Sequence, residues 1–305
     1  MSKILFGTGL REPHGVAEFA KKVEGLGFDV LGCGEHVMFY GPSANGFISL
    51  SVAAGATQSL KLMSTITLLP LYPAALLAKL GAALDVASDG RYMMGIGVGG
   101  EYPREFRAIG VPVEERGART NEALEVLHRT WTETDVDFDG RFTQLDGFTL
   151  KPMPVQKPRP PIWVAGRQEV AMKRTARYGD GWLPYMYTPE QMHDSLTKIR
   201  AYAEDFGRDP NEITAGAFIF TAVHEDGDFA VKMASDRLSK QYNQDFSKLV
   251  HKYAIAGTPD QCCARLQEYI DAGATLAMLS GACPDDYLDT NVELIASEIV
   301  AKFRE

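Results

Sequence analysis

The stretch that decides the fold is Arg91-Tyr-Met-Met-Gly-Ile-Gly-Val-Gly-Gly-Glu101. Within it, Met94, Ile96 and Val98 alternate with glycines, which is the period-two pattern of a β-strand. One face of this strand therefore carries apolar side chains, and the other face is nearly bare. Glycine is normally avoided inside strands because it packs nothing and costs backbone entropy. The bare face predicts a close neighbour, which is either a bound planar group or the backbone or bulky side chain of an adjacent element.

Seven more strand-like segments surround the glycine strand, and nearly every strand is followed by a helical pattern. The seven segments are residues 4–9, 28–36, 62–69, 160–166, 181–185, 213–223 and 274–280. Alternation of this kind predicts a parallel sheet with right-handed crossovers. Eight such units in 305 residues favour a closed (β/α)8 TIM barrel. We expect one domain over residues 1–305, with insertions near 37–47 and 135–160 at the C-terminal rim.

Composition excludes several classes of protein. The net charge of −9 disfavours nucleic acid or an anionic membrane as the main partner. No apolar run is long enough to cross a bilayer, and the amino terminus lacks the apolar core of a signal peptide. The four cysteines have neither metal-ligand spacing nor the arrangement of a disulfide framework. We therefore expect a cytoplasmic protein with reduced thiols and without a metal site.

Polar residues at the strand ends are the candidates for chemistry, because function in a barrel lies at the carboxyl ends of its strands. His36 follows the second strand and could act as an acid or base near neutral pH. Glu101 follows the glycine strand and would lie at the edge of any group bound there. Arg167 precedes a predicted helix, a combination that favours an anion such as phosphate. Each has a plain alternative, respectively a structural histidine, a solvated glutamate and a surface arginine.

One motif in the glycine strand is misleading. Gly95-x-Gly97-x-x-Gly100 formally matches the dinucleotide-binding fingerprint. That fingerprint needs its glycines in the turn after a strand, with a helix directly behind. Here the glycines lie inside the strand and Pro103 follows soon after, so we reject this interpretation. The sequence also lacks a Walker loop, a zinc-binding helix motif and a nucleophile elbow.

Several stretches together resemble the bacterial luciferase-like family of flavin- and deazaflavin-dependent oxidoreductases. They occur in the family's order and cover nearly the whole chain, as residues 27–37, 67–79, 89–99, 115–120, 161–166, 179–182 and 256–260. The resemblance implies a TIM barrel whose cofactor ring lies at the carboxyl rim. It also implies FMN or coenzyme F420 as the cofactor, without distinguishing them.

The resemblance further implies roles for individual residues. His36 matches a catalytic position of some deazaflavin-dependent members, and Glu101 falls near the acid of those same members. The residues that would contact the cofactor are Leu68 and Leu69 at a bulge of the third strand, Gly97, Val98 and Gly99 beside the ring, Gly166 and Arg167 at the phosphate, and Trp182 nearby. Relatives often have a non-prolyl cis peptide at that bulge. The aromatic residue usual after the glycine strand is missing here, where Glu101 stands instead.

The leading hypothesis is a luciferase-like monooxygenase that acts on a small organic substrate with reduced FMN and oxygen. A separate flavin reductase would supply the reduced flavin, His36 would move protons, and the insertions near 37–47 and 135–160 would cover the substrate. The alternative is F420-dependent hydride transfer, with His36 or Glu101 handling the substrate proton. A hypothesis from another functional class is a barrel that binds flavin but catalyses no reaction, as a carrier or sensor. A flavin-independent aldolase or hydrolase is disfavoured because no lysine or metal-ligand cluster lies at the strand ends. The resemblance suggests a homodimer packed through helices beside the early strands.

Overall fold

Eight parallel strands form a closed ring. A computed structural model describes residues 4–10 and 13–304. The strands are β1 (Leu5–Gly9), β2 (Val30–Cys33), β3 (Lys61–Ser64), β4 (Thr67–Leu68), β5 (Tyr92–Gly97), β6 (Val136–Asp139), β7 (Gln144–Phe148), β8 (Ile162–Ala165), β9 (Gly181–Leu183), β10 (Thr214–Val223), β11 (Ala254–Gly257) and β12 (Ala274–Gly281). The ring runs β1-β2-β3-β5-β8-β9-β10-β12, and β12 pairs back with β1. The predicted (β/α)8 TIM barrel is confirmed.

Helices pack around the ring and bury its outer surface. They are α1 (Val16–Gly25), α2 (Gly46–Ala56), α3 (Ala74–Ala87), α4 (Pro103–Ile109), α5 (Arg116–Thr132), α6 (Glu169–Tyr178), α7 (Pro189–Asp205), α8 (Gly227–Tyr242), α9 (Val250–Tyr253), α10 (Pro259–Asp271) and α11 (Leu288–Leu294). A π-helix, Ile295–Val300, continues α11. Helices and strands share one large apolar core that includes Leu31, Leu77 and Trp131. That burial is the main stabilising contribution to the fold.

The inside of the barrel is filled by large side chains that lie against glycines. A Cβ atom added at Gly7 or Gly32 would overlap the end of the Met278 side chain. One added at Gly181 would overlap the indole of Trp163. Large residues on one strand thus occupy the space left by glycines on its neighbours, which is how the interior of such a barrel packs. The interior is a packed core, so any binding site must lie at an end of the barrel.

Three elements differ from the sequence prediction. The third strand is broken into β3 and β4, and the peptide bond Thr65–Ile66 between them is cis. The predicted bulge at Leu68 and Leu69 therefore begins three residues earlier. The polar stretch after Glu101 contains the helix α4, and β11 is an additional strand that pairs with the end of β10. Both are short, so hydrophobic periodicity alone could not identify them.

The two predicted insertions pack against different elements. Residues 34–45 leave the carboxyl end of β2 and reach α2. The β6–β7 hairpin instead packs on α5, where Glu122 accepts the Phe142 backbone N–H and Arg119 stacks on the Phe142 ring. The proline-rich segment after it binds Asp85 near the end of α3 and enters β8 at its amino end. The tip of the hairpin reaches the start of α5, where Arg141 pairs with Glu115. That the 135–160 insertion covers the substrate stays a prediction.

Candidate active site at the carboxyl ends of the strands

His36 is paired with a buried acid. Its Nδ1 atom lies 3.2 and 3.1 Å from the two carboxylate oxygens of Glu105. Glu105 is completely buried and also accepts the Val37 backbone N–H at 3.2 Å. The carboxylate thus holds both the imidazole and the backbone that follows it. His36 bonds to Glu105, and neither to the adjacent Glu35 nor to the predicted acid Glu101.

Glu105 was missed because the helix that carries it was missed. Pro103 occupies the first turn of α4, and Gly110, with φ of 74°, ends the helix in the left-handed conformation. These are the usual start and stop signals of a helix. Glu105 lies in the first turn of α4 and faces inward beside the buried Phe106. A search of the sequence for a proline and a glycine seven residues apart would have found α4.

The pairing defines what the His36 ring can do. A carboxylate only accepts hydrogen bonds, so Nδ1 is the donor, and Nε2 of the neutral ring then carries the lone pair. Within the described part of the chain, Nε2 has no hydrogen-bond partner. The ring stacks on Phe39, with centroids 4.2 Å apart and an interplanar angle of 14°. His36 is therefore a fixed ring with one nitrogen available to accept a proton.

Glu35 contacts other partners than His36 and holds the same loop in place. It is buried, and its carboxylate accepts the N–H groups of Gly46 (3.2 Å) and Leu68 (3.1 Å) and the hydroxyl of Tyr72 (3.0 Å). These donors come from the start of α2, from β4 and from the turn before α3. Burial raises the pKa of Glu35, and the hydrogen bonds oppose that rise. One carboxylate thus joins both ends of the 34–45 loop to the broken third strand.

The bare face of the glycine strand is covered by protein along most of β5. A Cβ added at Gly95 would overlap the Ser64 carbonyl oxygen, and one added at Gly97 would overlap the end of Ile66. For these two positions, neighbouring backbone and a bulky side chain explain the glycines. At the exit of the strand, Gly99 and Gly100 have φ of 60° and 107°, a region that side-chain-bearing residues rarely adopt. That Gly97, Val98 and Gly99 contact a cofactor stays a prediction.

Glu101 and Arg167 lie in a second cluster with Tyr185. The Tyr185 hydroxyl donates to Glu101 Oε1 at 2.8 Å, and Arg167 Cζ lies 5.2 Å from the centre of the Tyr185 ring. Both charged side chains are exposed. The structure therefore brings together two residues that the sequence had identified separately. It also adds Tyr185, which sequence analysis had noted as a strand end without a role.

Three other predicted cofactor residues, Trp182, Leu68 and Leu69, have buried side chains. Trp182 is fully buried and donates from Nε1 to the Gly166 carbonyl at 2.8 Å, so it positions Gly166. That Trp182 contacts the cofactor stays a prediction. Leu68 and Leu69 are also buried, and the Leu69 side chain belongs to the outer core. No side chain caps the N-terminus of α6, directly after Arg167.

Across residues 4–10 and 13–304, no group of three or more histidine, cysteine, aspartate or glutamate side chains could hold a metal ion. None of the helices formed by these residues is long and apolar enough to cross a membrane.

The fold and its rim define a class: a TIM barrel with a histidine–carboxylate pair and an arginine at the carboxyl ends of its strands. The family model of luciferase-like monooxygenases matches residues 5–276. The chain therefore belongs to the luciferase-like monooxygenase family. This finding confirms the resemblance seen in the sequence.

Individual relatives agree with this assignment. The chain is 34% identical, over 48% of its length, to an FMNH2-dependent dimethylsulfone monooxygenase of Pseudomonas putida, but it covers 41% of that protein. Among solved structures, monooxygenase RslO1 from Streptomyces bottropensis superimposes with a TM-score of 0.87 at 25% identity, over 98% of this chain and all of that one. An F420-dependent secondary alcohol dehydrogenase superimposes with a TM-score of 0.85 at 22% identity, over 98% and 99% of the two chains, and shows the shared fold.

Proposed function

We propose that this protein is a flavin-type oxidoreductase that acts on a small organic molecule at the carboxyl rim of the barrel. The observation that carries the proposal is the His36–Glu105 pair, in which a buried carboxylate orients an imidazole whose second nitrogen stays available. Such a pair can accept a proton from a substrate and return it. Its place at the rim of a luciferase-like barrel connects that proton transfer to redox chemistry.

The rim has features that fit a phosphate-bearing flavin or deazaflavin. The α6 N-terminus lacks a side-chain cap, so its free N–H groups and the Arg167 guanidinium offer an anion site. The Gly99-Gly100 exit brings backbone to the rim, where the Arg116 side chain lies against Gly100. When bound, the cofactor supplies the redox chemistry, with oxygen for FMN or by hydride transfer for F420.

The chain's own residues have separable roles in this proposal. His36 Nε2 accepts or returns the substrate proton, while Glu105 fixes the tautomer and the direction of the ring. Glu101 contributes a second carboxylate at the rim, where it accepts the Tyr185 hydroxyl. Arg167, Gly166 and the start of α6 hold the cofactor phosphate. Reduced FMN is the first choice of cofactor because of the dimethylsulfone monooxygenase relative, and a separate flavin reductase would then supply it.

Anaerobic titration tests the cofactor assignment. The protein is titrated with reduced FMN and, separately, with F420, and binding is followed by absorbance and fluorescence. Saturable binding of one cofactor is expected, and Arg167→Ala should weaken it. Absence of binding for both would refute the proposal. Binding without turnover of a broad panel of small ketones, alcohols and organosulfur compounds would favour a non-catalytic flavin-binding barrel.

Two further properties belong to this proposal. Exposed apolar side chains on α2 and α3, among them Ile48 (69% exposed), Val52 (46%) and Leu76 (50%), suit the face of a homodimer. Light scattering should give twice the chain mass, and Ile48→Asp should lower it towards the monomer. All four cysteines are buried and reduced, which agrees with a reducing compartment such as the cytoplasm.

A further inference from the structure

A cluster at the rim joins the ends of three neighbouring strands. Glu101 follows β5, Arg167 follows β8 and Tyr185 follows β9, and β8 lies between the other two in the ring. The Tyr185 hydroxyl reaches Glu101 Oε1 at 2.8 Å, and the Arg167 guanidinium lies over the Tyr185 ring. Tyr185 thus contacts both charged residues across the end of β8.

Opposite charges in this cluster do not pair. The shortest described route between Glu101 and Arg167 passes through Tyr185, and no ion pair joins the two. Arg167 donates to the Met186 carbonyl at 3.3 Å, and its other N–H groups have no protein partner within residues 4–10 and 13–304. An exposed arginine beside an exposed glutamate would normally be free to form a surface ion pair. The contacts within the cluster therefore leave the Arg167 guanidinium available to bind another anion.

The Tyr185 side chain is itself fixed. Its backbone forms a parallel bridge with Phe218 on β10. The next residue, Met186, has φ of 49°, in the left-handed region where residues other than glycine are uncommon. Burial, and then the hydrogen bond to Glu101, raise the pKa of Tyr185 to about 12. At neutral pH the hydroxyl is therefore protonated and donates to the carboxylate.

We propose that Tyr185 is a positioning residue that keeps Glu101 and Arg167 apart, so that Arg167 stays available for the anionic group of the cofactor. The ring face holds the guanidinium by a cation–π contact, and the hydroxyl binds the carboxylate by a charge-assisted hydrogen bond. This inference rests on the proposed function, because it takes the ligand of Arg167 to be the cofactor phosphate.

The test measures how strongly the protein prefers FMN over riboflavin, which lacks the phosphate. Dissociation constants of both are obtained by fluorescence for wild type, Tyr185→Phe, Glu101→Gln and the double variant. Tyr185→Phe releases Glu101, which then competes for Arg167, so the preference should fall about two- to five-fold. Glu101→Gln alone should change it little. The double variant should regain the wild-type preference, because glutamine cannot neutralise the arginine.

Controls separate this role from a structural one. Tyr187→Phe is a matched control, since that neighbouring hydroxyl pairs with Ser195 outside the cluster. Thermal unfolding checks that every variant is folded. An unchanged preference in Tyr185→Phe, or a loss that Glu101→Gln does not restore, overturns the inference, as does a wild type that binds FMN and riboflavin equally. If wild type binds only F420, the same comparison uses a deazaflavin without the phosphate. A wild type that binds neither cofactor refutes the proposed function itself.

Discussion

Two glutamates at the rim, four residues apart in sequence, have opposite surroundings. Glu105 is completely buried and holds the His36 ring and the Val37 backbone. Glu101 is exposed and accepts one described hydrogen bond, from Tyr185. Two glutamates with the same chemistry thus have different roles. Burial makes Glu105 a rigid orienting group, and exposure leaves Glu101 adjustable.

The difference has an energetic basis. Removing the completely buried carboxylate takes away the partner of an imidazole and of a backbone N–H and leaves unfilled space inside the protein. Removing the exposed carboxylate leaves a tyrosine hydroxyl that water can reach. Substitution of Glu105 should therefore lower the free energy of unfolding more than substitution of Glu101 does.

The largest effect is expected for the histidine side. His36→Ala removes the proton-transferring nitrogen while Glu105 stays in place, so kcat/KM should fall by about 10²- to 10⁴-fold. Cofactor affinity should stay close to wild type, because His36 lies away from Arg167 and α6. Steady-state kinetics and an FMN titration check both points. Turnover equal to that of wild type would remove His36 from the catalytic assignment.

A matched pair of substitutions compares the two glutamates directly. Glu105→Ala should lower the free energy of unfolding by about 1–3 kcal/mol, since it removes a completely buried carboxylate that accepts two hydrogen bonds. Glu101→Ala should change it by less than about 0.5 kcal/mol, as expected for an exposed side chain. Chemical denaturation of both variants gives the values. Equal losses would mean that burial does not distinguish the two carboxylates.

A smaller effect concerns Glu35, which braces the histidine side. Its folded-state pKa is raised by burial above the ordinary value of 4.5. Between these two pKa values the native state binds more protons, so stability falls as pH rises through the window. Glu35→Gln removes this titration. The unfolding free energy of wild type minus that of Glu35→Gln should therefore decrease from pH 4.5 upward, and an increase would contradict the assigned direction.

Much of the fold follows from local patterns, and the site follows only in part. The alternation of strands and helices predicts the barrel because each unit has its own apolar periodicity. His36, Glu101 and Arg167 could be selected because strand ends share one rim. Their partners could not, because Glu105 and Tyr185 reach them from other elements through side-chain geometry. Gly95 and Gly97 show the same limit, since only the structure reveals that Ser64 and Ile66 fill their bare face.

The barrel is not equally stiff around its circumference. β9 has three residues and pairs with β10 at Gly181 with Thr214 and at Trp182 with Ala215, whereas β10 and β12 pair from Ala215 to Thr221. Regions with few backbone hydrogen bonds open most readily. Tyr185 adds one bridge, to Phe218, at the end of this short pairing. His36 lies across the ring and follows β2, which pairs with β1 at three residues and with β3 at four. Local opening of the β9–β10 pairing can therefore admit a bulky ligand beside Tyr185, while the histidine side keeps its geometry.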